Sequence, residues 1–125
     1  MQELLAEMEA YAAEHHVPII NERGRGVLLE AVEEARPRRI LEIGTAIGYS
    51  ALLMVSHGAP GAEVVTLELS EERAALAHRF IQRSPYRDRI RQQTGDAAEL
   101  LTHLQGPFDF VFIDAAKGQY VDYFH

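Results

Sequence analysis

Hydrophobic positions along the chain switch between two spacings, and each switch predicts an element. Over residues 1–15, Leu4, Leu5, Met8, Tyr11 and Ala12 fall three or four apart among glutamates, the pattern of an amphipathic helix. Pro18 in "HHVPII" biases Val17 out of the helical region and ends it. A second helix is expected over residues 26–35, with Val27, Leu28, Ala31 and Val32 on one face, before Pro37 resets the chain. From there, short apolar runs alternate with helical ones. "RILEI" reads as a buried strand, "YSALLMVSHG" as a helix closed by Gly58, and "EVVTLEL" as a strand after the turn-forming "APG". Ser70 is placed to cap a helix over residues 71–83, and "RIRQQTG", "DAAELLTHL" and "FDFVFID" continue as strand, short helix and strand.

This rhythm calls for an α/β fold, a Rossmann-like doubly wound parallel sheet covered by helices on both faces. The expected organisation is one structural domain, with N-terminal helices in residues 1–36 and the sheet in residues 37–125. The sequence stops at His125, soon after the fourth strand. The expectation is therefore a truncated chain or partial gene product with the C-terminal strands missing. Its last strand would keep an open edge unless another segment or subunit covers it.

Composition narrows the chemistry. At 47% hydrophobic residues the chain is that of an ordinary globular protein. No run approaches the roughly 18 apolar residues of a membrane span, and the N-terminus lacks a signal-peptide layout, so no membrane association and a cytoplasmic location are expected. The absence of cysteine excludes disulfides, thiolate metal sites and a cysteine nucleophile. A net charge of -7 argues against a globally basic nucleic-acid binder. Arg79, Arg83, Arg87, Arg89 and Arg91 still form a local patch, read as solvated helix-end surface, with RNA phosphate as the alternative partner.

The stretch "RRILEIGTAIGYSALLM" carries the clearest candidate site. A dinucleotide loop needs G-x-G-x-x-G after the first strand and a P-loop needs G-x-x-x-x-G-K-[ST]; neither is present. Instead Glu42, Gly44, Gly48, Tyr49 and Ser50 follow one another in the pattern E-x-G-x-x-x-G-Y-S. Glycine at the carboxyl end of a first strand lets backbone approach a ligand, but a carboxylate at Glu42 repels a pyrophosphate and suits a cation. Glu68 stands at the carboxyl edge of the second strand, about 20 residues past the loop, where an acid accepts hydrogen bonds from ribose hydroxyls. A positively charged nucleoside without phosphates, such as S-adenosylmethionine, meets both demands.

"ILEIGTAIGYSALLM", "VTLELSEERAALA", "TGDAAELL" and "FDFVFIDAAKGQYVDY", in this order, resemble the class I S-adenosylmethionine-dependent O-methyltransferases of the catechol and caffeoyl-CoA type, in their small bacterial branch. The resemblance implies that residues 37–125 form the cofactor-binding part. Glu42 and Gly44 would lie at the methionine end of S-adenosylmethionine, with Tyr49 and Ser50 beside its carboxylate and Thr45 and Gly48 also among the cofactor-binding residues. Glu68 would hold the ribose, and Asp96 and Ala97 the adenine. Asp114 would be the first ligand of a divalent metal, expected to be Mg2+, as well as a cofactor neighbour, and Lys117 the general base. A bound hard cation lowers the pKa of a coordinated hydroxyl, and a lysine beside it can take the proton. The family's remaining metal ligands follow a later strand and have no replacement pair here. His57, His78 and His103 show no H-x-x-x-H spacing and read as surface residues.

The expected acceptor is 5-hydroxyuridine in a tRNA anticodon region, because "HHVPII" and "IDAAKGQY" resemble the tRNA-modifying members, with a catechol-like small molecule as the alternative. A non-catalytic nucleotide-binding module and a nicotinamide-dependent dehydrogenase are the rival classes. A homodimer is the expected assembly.

Overall fold

A computed structural model describes residues 1–104, 106–115 and 118–123. The apolar runs become four parallel strands, β1 (Arg39–Ile43), β2 (Glu63–Glu68), β3 (Ile90–Thr94) and β4 (Phe110–Ala115). Their spatial order is β3-β2-β1-β4. Between them run the helices α3 (Tyr49–His57), α4 (Glu71–Gln82) and α5 (Ala97–Leu101), preceded by α1 (Gln2–His15) and α2 (Glu22–Ala35).

Side chains alternate across each strand, so the sheet sorts its residues to two faces. Ile40, Val64, Ile90, Phe110 and Phe112 join Leu4, Met8, Leu28, Leu52, Phe80 and Ile81 in one core, which places α1 to α4 on one side. Leu41, Val65, Leu67 and Val111 form a smaller cluster with Ala97 and Leu100 of α5 on the other. The doubly wound α/β expectation is met. The entry of β1 is pinned by Asp109, whose carboxylate accepts from the Arg38 and Arg39 amides, each at 2.9 Å.

The structure corrects three expectations. A fifth strand, β5 (Gly118–Tyr123), runs antiparallel against β4, so the edge expected to be open unless another segment covered it is paired by the chain itself, and the sheet is mixed rather than wholly parallel. A strand that follows this closely in sequence can pair only in that sense, because a parallel neighbour needs a crossover of about a dozen residues. The second correction concerns α2, which starts four residues earlier than its apolar period: the Asn21 side chain accepts from the Gly24 amide at 2.8 Å and opens the helix at Glu22. Capping and packing outweigh the low helix propensity of Gly24 and Gly26. Val27, expected on the buried face, is 60% exposed.

Candidate functional site

Strand order reverses beside β1: β2 and β3 extend to one side of it, and β4 returns on the other. The crevice outside the carboxyl ends of these strands is the usual ligand position in such a sheet. Residues 44–48 form its floor, with positive φ at Gly44 (98°), Ala46 (49°) and Gly48 (90°). The loop is held by its own amides. Gly44 and Thr45 both donate to the Leu67 carbonyl, at 2.8 and 3.1 Å, and Gly48 donates to the Thr45 carbonyl at 2.9 Å. The glycines therefore shape the loop rather than offer free N–H groups. Gly48 also sets a packing distance, since a Cβ there would stand 3.2 Å from Cγ1 and Cδ1 of Ile81 on α4.

Gly48 is the N-cap of α3 and supplies no side-chain cap. Leu52 donates to the Gly48 carbonyl at 3.1 Å, while the amides of Tyr49, Ser50 and Ala51 lie in the first turn, where a helix offers no internal acceptor. That end carries partial positive charge and suits an anionic group. A shallow depression lined by Ile19, Ile20, Thr45, Ala46, Tyr49 and Ser50, too narrow here to admit a water molecule, marks a groove beside it.

Glu42 sits beneath this loop and is fully buried. In the β1–β2 register it lies beside Thr66, which donates to its Oε1 at 2.6 Å, and Ser50 donates to its Oε2. Thr45 and Thr66 hydroxyls are 2.6 Å apart. Because the one Thr66 proton is committed to the Glu42 carboxyl group, Thr45 is the donor to Thr66. The network ties β1, β2, the loop and α3 at one point. Sequence reasoning singled out Glu42, Thr45 and Ser50 but missed Thr66, whose signal was a hydroxyl inside an otherwise apolar strand.

Glu68 ends β2 and is 8% exposed. Its Oε1 accepts from the Ala46 amide at 2.8 Å and its Oε2 from the Ser70 amide at 2.9 Å. Two backbone donors hold the carboxylate against the loop, and each oxygen keeps a lone pair for a further donor. Beyond β3, Gly95 takes φ 145° and donates to the Glu68 carbonyl at 2.9 Å, which sets Asp96 next in line. Asp96 is exposed and caps α5 by accepting from the Ala98 amide at 2.8 Å, with Ala97 the first residue of that helix. Asp114 lies in β4 one residue from its carboxyl end; Lys117 lies outside the described residues. No group of three His, Cys, Asp or Glu among the described residues could hold a metal ion.

Tyr49 is placed differently from its neighbours. It is 2% exposed, and its hydroxyl turns to the N-terminal helices, donating to Glu9 Oε2 and accepting from Arg25 Nη1 at 2.8 Å. Burial and the Glu9 bond push the phenol above its ordinary range, against the lowering effect of Arg25. Glu9 and Arg25 left no trace in local sequence, because their partners lie 16 to 40 residues away. The arginine patch is partly engaged: Arg83 pairs bidentately with Glu7 and Arg89 lies over the Tyr86 ring at 5.6 Å. Of the histidines, His57 meets Glu33 at 3.0 Å.

Residues 1–125 match, along their whole length, the family described as O-methyltransferase. The chain belongs to the O-methyltransferase family. Among relatives of this family it is 42% identical over 87 residues to the catechol O-methyltransferase of Mycobacterium tuberculosis, covering 69% of this chain and 40% of that protein. It is 34% identical over 118 residues to the catechol O-methyltransferase of Niastella koreensis, covering 90% and 53%. The solved O-methyltransferase from Bacillus cereus in complex with SAH superposes with a TM-score of 0.80 at 36% identity, covering 92% of this chain and 55% of that one. The chain thus spans about half the length of the O-methyltransferases it matches.

Proposed function

We propose that this chain is the S-adenosylmethionine-binding part of an O-methyltransferase acting on a hydroxylated small molecule. The observation that carries the reading is the bond between Glu68 and the Ala46 amide, which brings a ribose-type carboxylate and the uncapped start of α3 to one crevice. When bound, the cofactor supplies an activated methyl group on a positively charged sulfur. Glu68 accepts from the ribose hydroxyls, and the first-turn amides of Tyr49, Ser50 and Ala51 receive the carboxylate. Asp96 and Ala97 border the adenine. Gly44, Thr45 and Gly48 hold the loop shape, and Glu42 anchors it from below through Ser50 and Thr66. Most of the rate gain in such a transfer comes from holding donor and acceptor at contact distance, which a rigid loop serves.

Asp114 is the residue proposed as a ligand for Mg2+, and a hard cation of this kind needs about six ligands. The described residues do not by themselves fit a metal centre. Lys117 is proposed as the base that takes the acceptor proton. Relatives named catechol O-methyltransferase favour a catechol-like acceptor over a tRNA hydroxyuridine, and the ion pair of Arg83 with Glu7 removes one arginine from a phosphate-binding patch. We place both the helices of residues 1–36 and the sheet in one domain, in a cytoplasmic homodimer; no helix among the described residues is long and apolar enough to cross a membrane.

Calorimetric titration with S-adenosylhomocysteine, with NADH as control, tests the cofactor; saturable heat from the first alone is expected. Glu68→Ala should weaken that binding about tenfold to a hundredfold, the worth of hydrogen bonds to a charged acceptor. Equal affinity of the variant and the wild type would remove Glu68 from the site. Transfer of labelled methyl from S-adenosylmethionine to a catechol, compared with transfer to tRNA carrying 5-hydroxyuridine, then decides the acceptor.

A further inference from the structure

Three helices meet at one closed triangle of polar groups beside the groove. Glu9 comes from α1, Arg25 from α2, and Tyr49 opens α3. Tyr49 donates its only hydroxyl proton to Glu9, and Arg25 Nη1 donates to Glu9 Oε2 at 2.9 Å and to the Tyr49 oxygen at 2.8 Å. A phenol so engaged has no proton left for a ligand carboxylate. Tyr49 nevertheless lines the groove together with Ile19 and Ile20 of the connector between α1 and α2. The apolar residues Leu4, Met8 and Leu28 hold α1 and α2 to the sheet independently of this triangle. Apolar contact is non-directional, so the polar triangle, together with the Glu33–His57 pair between α2 and α3, sets the rotation of these helices relative to α3.

Resting on the cofactor reading above, we propose that Glu9, Arg25 and Tyr49 form a clasp that holds the connector and the first turn of α3 as two walls of one groove, and so sets the affinity for the methionine end of the cofactor. They are positioning residues. The Glu9 and Arg25 side chains are 43% and 33% exposed, so loss of the clasp changes the groove more than it changes the stability of the fold.

The test uses the whole chain, with S-adenosylhomocysteine as the probe. Tyr49→Phe, Glu9→Gln and Arg25→Met should each weaken binding about tenfold, and Arg25→Lys should recover part of the loss. The Glu9→Gln/Tyr49→Phe pair should cost less than the sum of its single variants, as expected for members of one network. Hydrogen exchange at residues 17–21 should quicken in each variant while the global urea midpoint stays close to wild type. Glu68→Ala, which leaves the clasp untouched, separates the two claims. Wild-type chain that folds and does not bind overturns the cofactor reading and the clasp with it. Binding that is lost in Glu68→Ala but unchanged in the clasp variants overturns the clasp alone, as does a loss that merely tracks the urea midpoint.

Discussion

Thr66 is the residue on which the loop's polar support turns. It gives Glu42 one of its donors and takes the proton of Thr45, and all of these groups are buried. Replacing it by valine keeps the shape, takes one donor from Glu42 and removes the acceptor of Thr45. Thr66→Val should destabilise the fold by about 1–3 kcal/mol, the cost of leaving buried polar groups unpaired. A urea midpoint that falls at unchanged slope would show this, and an unchanged midpoint would refute it. Tyr49 gives a pH signature at the same scale. Its raised pKa means that the folded state keeps the phenol proton longer than the unfolded chain does. The resulting stability is complete below the ordinary tyrosine range, near about 10, and is lost as pH rises through the folded value. Alkaline unfolding should therefore be shallower in Tyr49→Phe than in wild type; matching profiles would mean that the phenol titrates freely.

At the scale of elements, Gly48 is constrained twice, by a φ of 90° and by the closeness of Ile81, whereas Gly61 has a φ of 79° and open space within 4 Å of where a Cβ would stand. Gly61→Ala should cost about 1 kcal/mol for the backbone alone, and Gly48→Ala about 1–3 kcal/mol because the α3–α4 contact must also give way. Equal midpoints for the two variants would show that the packing constraint is absent. The same elements explain what the sequence made legible. "RILEI" and Ser70 are local signals, a continuous apolar run and a cap, and β1 and α4 begin where they place them. The start of α2 was obscured by Gly24 and Gly26, although Asn21 stood there as a cap. β5 had no such signal, because its pairing depends on β4 rather than on its own period.

For the whole molecule, the alternation of strand and helix was enough to give the parallel sheet, and the glycine and glutamate spacing was enough to mark one crevice. What spacing could not give is which amides the loop uses internally, or that Tyr49 reaches back to α1 and α2, since both depend on contacts between segments distant in sequence. The opposite end of the sheet has a competing polar pocket, lined by Arg39, Glu63, Arg89 and Arg91 among others. The cofactor is expected at the carboxyl end instead. Amide chemical-shift mapping with S-adenosylhomocysteine distinguishes the two ends directly. The largest shifts are predicted at residues 45–51, at Glu68 to Ser70 and at Gly95 to Ala97; shifts concentrated at Glu63, Val64 and Arg91 would contradict the site.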